Sequence, residues 1–187
     1  MMKEYFVRLY QHSNWANRRI LGLLRGVVGI VVVIIAVLAL DRLRPPLLRR
    51  EFTVELPVED AWRHLARVEQ WPSWAKHIKQ VEVQPPGDLR PESMGQFLLT
   101  NGLKPVFRMT EFNPYRSWKW VGDFLWLTIY YDHRFEELNP TQTKLMFELE
   151  GKGFGVSLLG RFFAKIYSKS LDRAIPLLVQ EMNASRV

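Results

Sequence analysis

The 187-residue chain is long enough for one domain and an anchor, holds no cysteine, and carries a net charge of +7. Without cysteine, a disulfide framework and a thiolate metal site are both excluded. The charge is concentrated at one end: residues 1–50 hold nine Lys and Arg against Glu4 and Asp41, so residues 51–187 balance to zero. A basic chain ordinarily points to nucleic acid. These cations instead flank an apolar run, where anionic headgroups are the fitting counter-charge, so membrane lipids are expected as partners and nucleic acid is not.

Residues 26–40 contain no charged side chain, and the wider segment 20–40 contains only Arg25. About 20 residues rising ~1.5 Å each match a hydrocarbon core of ~30 Å, which predicts a transmembrane helix over 20–40. Arg25, near one end, can snorkel to the interface. A cleaved signal peptide would need an unusually long basic region before Val37 and Ala39, so the segment reads as an uncleaved, single-pass anchor. Arginines lie on both sides of it, and that symmetry gives no orientation. Residues 1–19 read as a juxtamembrane amphipathic helix, with Phe6, Leu9, Ala16, Ile20 and Leu23 forming a stripe that runs on to about residue 24. The string from Tyr10 to Ile20 resembles the opening helix of the DinB family of metal-binding four-helix proteins. His12, His64, His77 and His133 are scattered over unlike elements, so no metal site of that type is expected. Residues 41–50, with Pro45 and Pro46, form a short stiff linker.

The domain over 51–187 opens with a strand at 51–56, where Phe52, Val54 and Leu56 alternate. Pro57, Glu59 and Asp60 then start a helix with an apolar stripe of Ala61, Trp62, Leu65 and Val68. A second short helix through Ile78 follows Trp71 and Trp74. Six strands come next, over 81–83, 94–100, 105–112, 117–121, 125–135 and 143–149, with turns expected at Asn113-Pro114, Gly122-Asp123 and Asn139-Pro140-Thr141. After Gly151, Gly153 and Gly155 the period lengthens, and Leu158, Leu159, Phe162, Phe163, Ile166, Leu171, Ile175 and Leu178 mark a long amphipathic helix. Pro176 is expected to kink it or start a new turn. The class is α+β, with an antiparallel sheet and one long C-terminal helix. One helix cannot cover a bent sheet of this width, so a ligand gap is expected between them.

Several motifs carry a family resemblance. They are Phe52-Thr-Val-Glu-Leu-Pro57-Val-Glu-Asp-Ala-Trp62, Trp71-Pro-Ser-Trp74, Thr110-Glu-Phe-Asn-Pro114 leading into Trp118-Lys-Trp120, and His133-Arg-Phe135-Glu-Glu-Leu138 followed by Thr143-Lys-Leu145. In order and spacing, residues 51–182 resemble the START-like (SRPBCC) superfamily, in its polyketide cyclase/dehydrase and lipid-transport group. The resemblance implies a helix-grip fold, in which a curved antiparallel sheet wraps around the C-terminal helix and leaves an apolar cavity.

Alternation directs Phe97, Leu99, Phe107, Met109, Trp118, Trp120, Leu127, Ile129, Tyr131, His133, Leu145 and Phe147 to the concave face. Helical spacing directs Leu159, Phe162, Phe163 and Ile166 towards them. His133 reads as a structural histidine rather than an acid–base group. Glu111 alternates with Phe107 and Met109, but its place before Asn113-Pro114 favours an exposed strand end. Asp132 and Arg134 read as a solvated pair on the other face. No nucleophile elbow, metal-ligand spacing or phosphate loop occurs, and no catalytic residue, metal or cofactor is assigned. Phe124 and Trp126 are expected near an apolar hairpin tip suited to gating or membrane contact. Arg161, Lys165, Lys169 and Arg173 form a basic stripe on the last helix. The expected function is a membrane-anchored binder or carrier of a hydrophobic small molecule, such as a lipid, isoprenoid or polyketide. The rivals are a cyclase or dehydratase using the same cavity, with His133, Tyr131 and Glu111 as its polar groups, and a non-catalytic accessory protein whose cavity is filled.

Overall fold

The computed structural model describes residues 2–42 and 46–185, giving the backbone alone for residues 2–18 and Ile20. The chain falls into two compact units, Met1–Leu43 and Arg44–Val187. The first is one continuous helix, α1 (Met2–Arg42), in which Leu21–Arg42 is long and apolar enough to cross a membrane. A signal sequence passes the same test. The amphipathic stripe expected along 4–24 falls, apart from Leu23, on side chains outside the described residues.

The second unit is an α+β helix-grip fold. Its elements are β1 (Leu48–Val54), α2 (Val58–Ala66), a 3-10 turn (Val68–Ser73), β2 (Ile78–Gln84), β3 (Met94–Leu99), β4 (Val106–Asn113), β5 (Ser117–Phe124), β6 (Leu127–Asn139), β7 (Gln142–Lys152) and α3 (Val156–Ala184). The seven strands form one antiparallel sheet in the order β1-β7-β6-β5-β4-β3-β2. β1 crosses over to the last strand, so the chain's first and final strands are neighbours. Antiparallel alternation then places the start of β1 and the β3–β4, β5–β6 and β7–α3 connections at one end of the sheet, the entry end. The β2–β3, β4–β5 and β6–β7 connections lie at the other.

Several elements differ from the sequence expectation for identifiable reasons. β1 starts at Leu48 rather than residue 51 because Arg49 and Arg50 pair with Glu148 and Phe147 of β7. Arg50 also reaches α3, with Nε donating to Asp172 (3.0 Å) and an η-nitrogen donating to Ser168 (2.6 Å). The β5–β6 turn is made by Leu125 and Trp126, closed by the pair Phe124 and Leu127, with Leu125 at φ 57°. Gly122 and Asp123 lie inside β5 instead. Gly122 serves a close approach, since a Cβ there would meet the Val106 carbonyl oxygen at 2.9 Å. α3 runs unbroken through Pro176. The carbonyl that proline leaves unpaired belongs to Asp172, an exposed residue where water can serve it.

The convex face carries charge. Asp132 and Glu148 sit opposite one another across β6 and β7, each largely buried. Arg134 reaches Asp132 at 2.7 Å and Glu148 at 3.9 Å, Lys119 reaches Asp132 at 3.5 Å, and Arg49 reaches Glu148 at 3.7 Å. The pair Asp132–Arg134 is therefore part of a network around two buried carboxylates, not an isolated solvated pair. Glu111 joins the same face through Lys119 at 3.6 Å. A bulge between Met109 and Glu111 resets the alternation of β4, so Phe112 takes the inward position.

Gly95 is the tightest point of the sheet. A Cβ there would collide with the Glu82 carbonyl oxygen and lie 2.7 Å from the Phe107 ring. Gly95→Ala is expected to cost about 1–3 kcal/mol or more in denaturant unfolding, through overpacking. A melting temperature unchanged from the parent would show that β2, β3 and Phe107 yield at that point.

Candidate functional site between the sheet and the long helix

The concave side is built from two apolar clusters. The larger joins α2, the 3-10 turn and the C-terminal half of α3 to the sheet, with Trp62, Leu65, Trp118, Leu145, Leu178 and Met182 among its buried members. Trp62 is wedged among Phe112, Tyr115, Trp118 and Phe135 at ring separations of 4.7–5.8 Å. The Trp71 indole donates to the Leu65 carbonyl at 2.9 Å and ties the 3-10 turn to α2. The smaller cluster, Leu127, Ile129, Leu149 and Val156, lies under the first turns of α3, with Leu47, Leu159 and Phe163 against it. α3 packs chiefly on β1 and β7. Leu48, Tyr131 and Tyr167 border both clusters and are only half-buried.

Around this seam, side chains form a ring. Tyr131 meets Tyr167 edge to face at 5.8 Å, and Tyr167 meets His77 at 6.3 Å. Leu99 lies beside Ile78 in the register of β2 and β3. Phe97 meets Trp120 at 6.0 Å, and Trp120 meets Tyr131 at 6.5 Å. Of these, Ile78 and Trp120 are buried and the rest are half-buried.

The polar groups of the ring are neutral. Burial raises the pKa of both the Tyr131 and Tyr167 hydroxyls well above the phenol range, so each keeps its proton. Burial also lowers the His77 imidazole from its usual value. What the ring offers a ligand is hydrogen bonding without charge.

All twelve sheet residues expected on the concave face lie there, buried or half-buried. On α3, Leu159 and Phe163 are half-buried and face the smaller cluster. Phe162 and Ile166 do not: they are 59% and 55% exposed, and Leu158 is 82% exposed. The inward line is Val156, Gly160, Ala164, Tyr167, Leu171, Ala174 and Leu178. Bulk misled the reading, because the helix is apolar on two sides and the inward one is marked by small residues. A Cβ at Gly160 would lie 2.8 Å from Val156 and 3.0 Å from Leu47, so glycine there lets the incoming chain pack against the helix. Tyr167 lies on this inward line too, outside the residues expected from the sequence, and stacks on Phe163 at 6.0 Å and 8°.

His133 lies off the seam. It is buried among Trp118, Trp120 and Phe147 at 4.8–5.2 Å, and its Nδ1 and the Trp118 Nε1 have no hydrogen-bond partner. Burial pushes its pKa down from 6.5 to about 4, against a smaller opposing pull from Asp132.

A family model for "Polyketide cyclase / dehydrase and lipid transport" matches residues 46–176. The chain belongs to this family. Solved structures agree on the fold at low identity. The protein XoxI from Bacillus cereus is 12% identical with a TM-score of 0.58, over 72% of this chain and 94% of that one. A Thermobifida fusca protein is 11% identical with a TM-score of 0.60, over 74% and 94%. The Zhui aromatase/cyclase from Streptomyces sp. R1128 is 14% identical with a TM-score of 0.51, over 73% and 90%. No curated protein matches the chain.

The site makes a pH-dependent stability contribution. The unfolded chain takes up a proton at His133 below about pH 6.5, whereas the folded protein resists until about pH 4. Stability is therefore complete above pH 6.5 and erodes by about 3 kcal/mol as pH falls towards 4. His64 and His77 are lowered in the same direction. In urea titrations across this window, His133→Leu is expected to flatten the slope without abolishing it. An acid slope equal to that of the parent would mean that His133 does not titrate as a buried group.

Proposed function

We propose that this family member binds a neutral, mainly apolar small molecule bearing a hydroxyl or carbonyl group, and does so at a membrane through the α1 span. The ligand's body lies along Phe97, Leu99 and Phe163, and its polar group meets Tyr131 and Tyr167. The observation that carries this reading is the state of the two tyrosines. Each brings a neutral phenol hydroxyl to the junction of two separate apolar clusters while keeping accessible surface. Side chains in a continuous close-packed core keep no such surface. The absence of charge around the ring favours binding and release over reaction, since acid–base chemistry needs a group that changes protonation near the working pH. A uniformly apolar ligand would leave both hydroxyls without a partner, which disfavours plain hydrocarbon.

Two measurements test this. Native mass spectrometry of the full chain from detergent is expected to show a bound neutral lipid-like species, and an apolar fluorescent probe is expected to displace it. Leu99→Trp should block probe uptake while leaving the melting temperature close to the parent. If the parent takes up no probe and Leu99→Trp melts far lower, the seam is packed core and the proposal fails. Tyr167→Phe should weaken a hydroxyl-bearing ligand about tenfold, or ~1.4 kcal/mol, and leave a hydrocarbon probe unchanged.

The anchoring half has its own test. Alkaline carbonate is expected to leave the full chain in the membrane pellet, and its release into the supernatant would remove the spanning helix from the account.

A further inference from the structure

The two ends of the sheet differ in what they expose. At the entry end, Leu103 of the β3–β4 connection is 61% exposed, Leu125 and Trp126 of the β5–β6 turn are 68% and 65% exposed, and Phe154 before α3 is 50% exposed. Trp126 donates its indole N–H to the Phe154 carbonyl at 3.0 Å, which joins two of these connections into one surface. Leu158 and Phe162 continue it along the outer side of α3. The opposite end exposes Met94, Tyr115 and Leu138, but among Asp88, Arg90, Glu92, Arg116 and Glu137. Turns are ordinarily polar. A contiguous exposed apolar surface needs an occupant.

Charge selects the occupant. Residues 151–171 contain Lys152, Arg161, Lys165 and Lys169 and no acidic residue, and all four cations are exposed. Lys104 adds another exposed cation beside Leu103. Within the entry-end connections and the first half of α3, apolar tips are thus interleaved with cations. Trp and Leu at the headgroup boundary with Lys and Arg around them is the pattern of an interfacial surface on an anionic bilayer. The tether agrees, since five residues lie between Arg42 and Leu48, and the chain enters the domain with Leu47 against Gly160, at this same end.

We propose that the entry end of the domain docks on an anionic lipid surface, with Leu125, Trp126 and Leu158 in the headgroup layer and Arg161, Lys165 and Lys169 against lipid phosphates. The seam between sheet and α3 then opens towards the membrane rather than towards bulk water. Docking requires the surface alone, so it stands or falls separately from ligand binding.

The chain has no cysteine, so single labelling sites can be introduced cleanly. Leu125→Cys, Leu158→Cys and, at the opposite end, Glu92→Cys are each labelled with NBD in the full chain. Each is reconstituted into phosphatidylcholine vesicles with and without 30% phosphatidylglycerol (a composition of order ~30% anionic lipid). The expected result is a blue-shifted, several-fold brighter emission at Leu125 and Leu158 on anionic vesicles, quenched by headgroup-proximal doxyl lipid, with no change at Glu92. Raising salt or introducing Arg161→Glu, Lys165→Glu and Lys169→Glu together should reverse it. Silence at both entry-end positions overturns the proposal and assigns the surface to a protein partner. Equal responses at all three positions overturn it as non-specific contact. Equal responses on neutral and anionic vesicles overturn the choice of anionic lipid. Leu158 lies on a regular helix, so its result stands even if a label in the Leu125 turn disturbs the hairpin.

Discussion

One long helix has to cover a sheet of seven strands, and it cannot. α3 lies chiefly on β1 and β7, held there by Arg50 through Asp172 and Ser168. The rest of the concave side is filled by α2 and the 3-10 turn, which bring Trp62, Leu65 and Trp71 to the larger cluster. The C-terminal half of α3 shares that cluster, whereas its first turns lie over the smaller one, and the two clusters stay separate. Where they meet, Tyr131 from the sheet and Tyr167 from the helix close the gap with aromatic rings and bring their hydroxyls with them. The candidate site is thus the residue of an area mismatch, and its chemistry is set by which side chains span it.

Hydrogen bonding and burial then divide the labour between two aromatic regions. The nest around His133 is enclosed by aromatic rings, leaving His133 Nδ1 and Trp118 Nε1 unpartnered. Such groups each cost about 1–3 kcal/mol, and the aromatic contacts that enclose them offset part of that cost. The seam keeps its polar groups at the boundary of accessible surface instead. The second region leaves its hydroxyl-bearing side chains half-buried, whereas the side chains of the first are buried.

Strands were legible because one face of the sheet is apolar, so Phe107, Met109, Trp118, Trp120, Leu145 and Phe147 announced their side by period alone. The long helix was legible as an element and misread as a surface. Leu158, Phe162 and Ile166 satisfy helical spacing as well as the true inward line does, and only Gly160 and Ala164 distinguish the packed side. The bulge in β4 and the Leu125-Trp126 turn were invisible for a related reason. Glycine at 122 mimics a turn residue while serving a close strand approach, and no ordinary turn chemistry predicts leucine at positive φ. The Arg49 arm of the ion network depends on β1 pairing with β7, a contact between the two ends of the domain that no local pattern carries. The place of the site was likewise out of reach, since it needs Tyr131, Tyr167 and His77 to be brought together by the fold.

The convex network has a consequence for crowding. A protein confined to a membrane plane meets its neighbours at far higher effective concentration than one free in three dimensions. An open sheet is the kind of surface that then sticks laterally, by stacking or by edge pairing. Here a second sheet laid on the outer face would strip water from Arg49 and Arg134, the exposed cations that hold Asp132 and Glu148. Arg49 and Glu51 put charge along the outward side of the β1 edge. The same ion pairs that organise the back of the domain therefore make that face costly to cover.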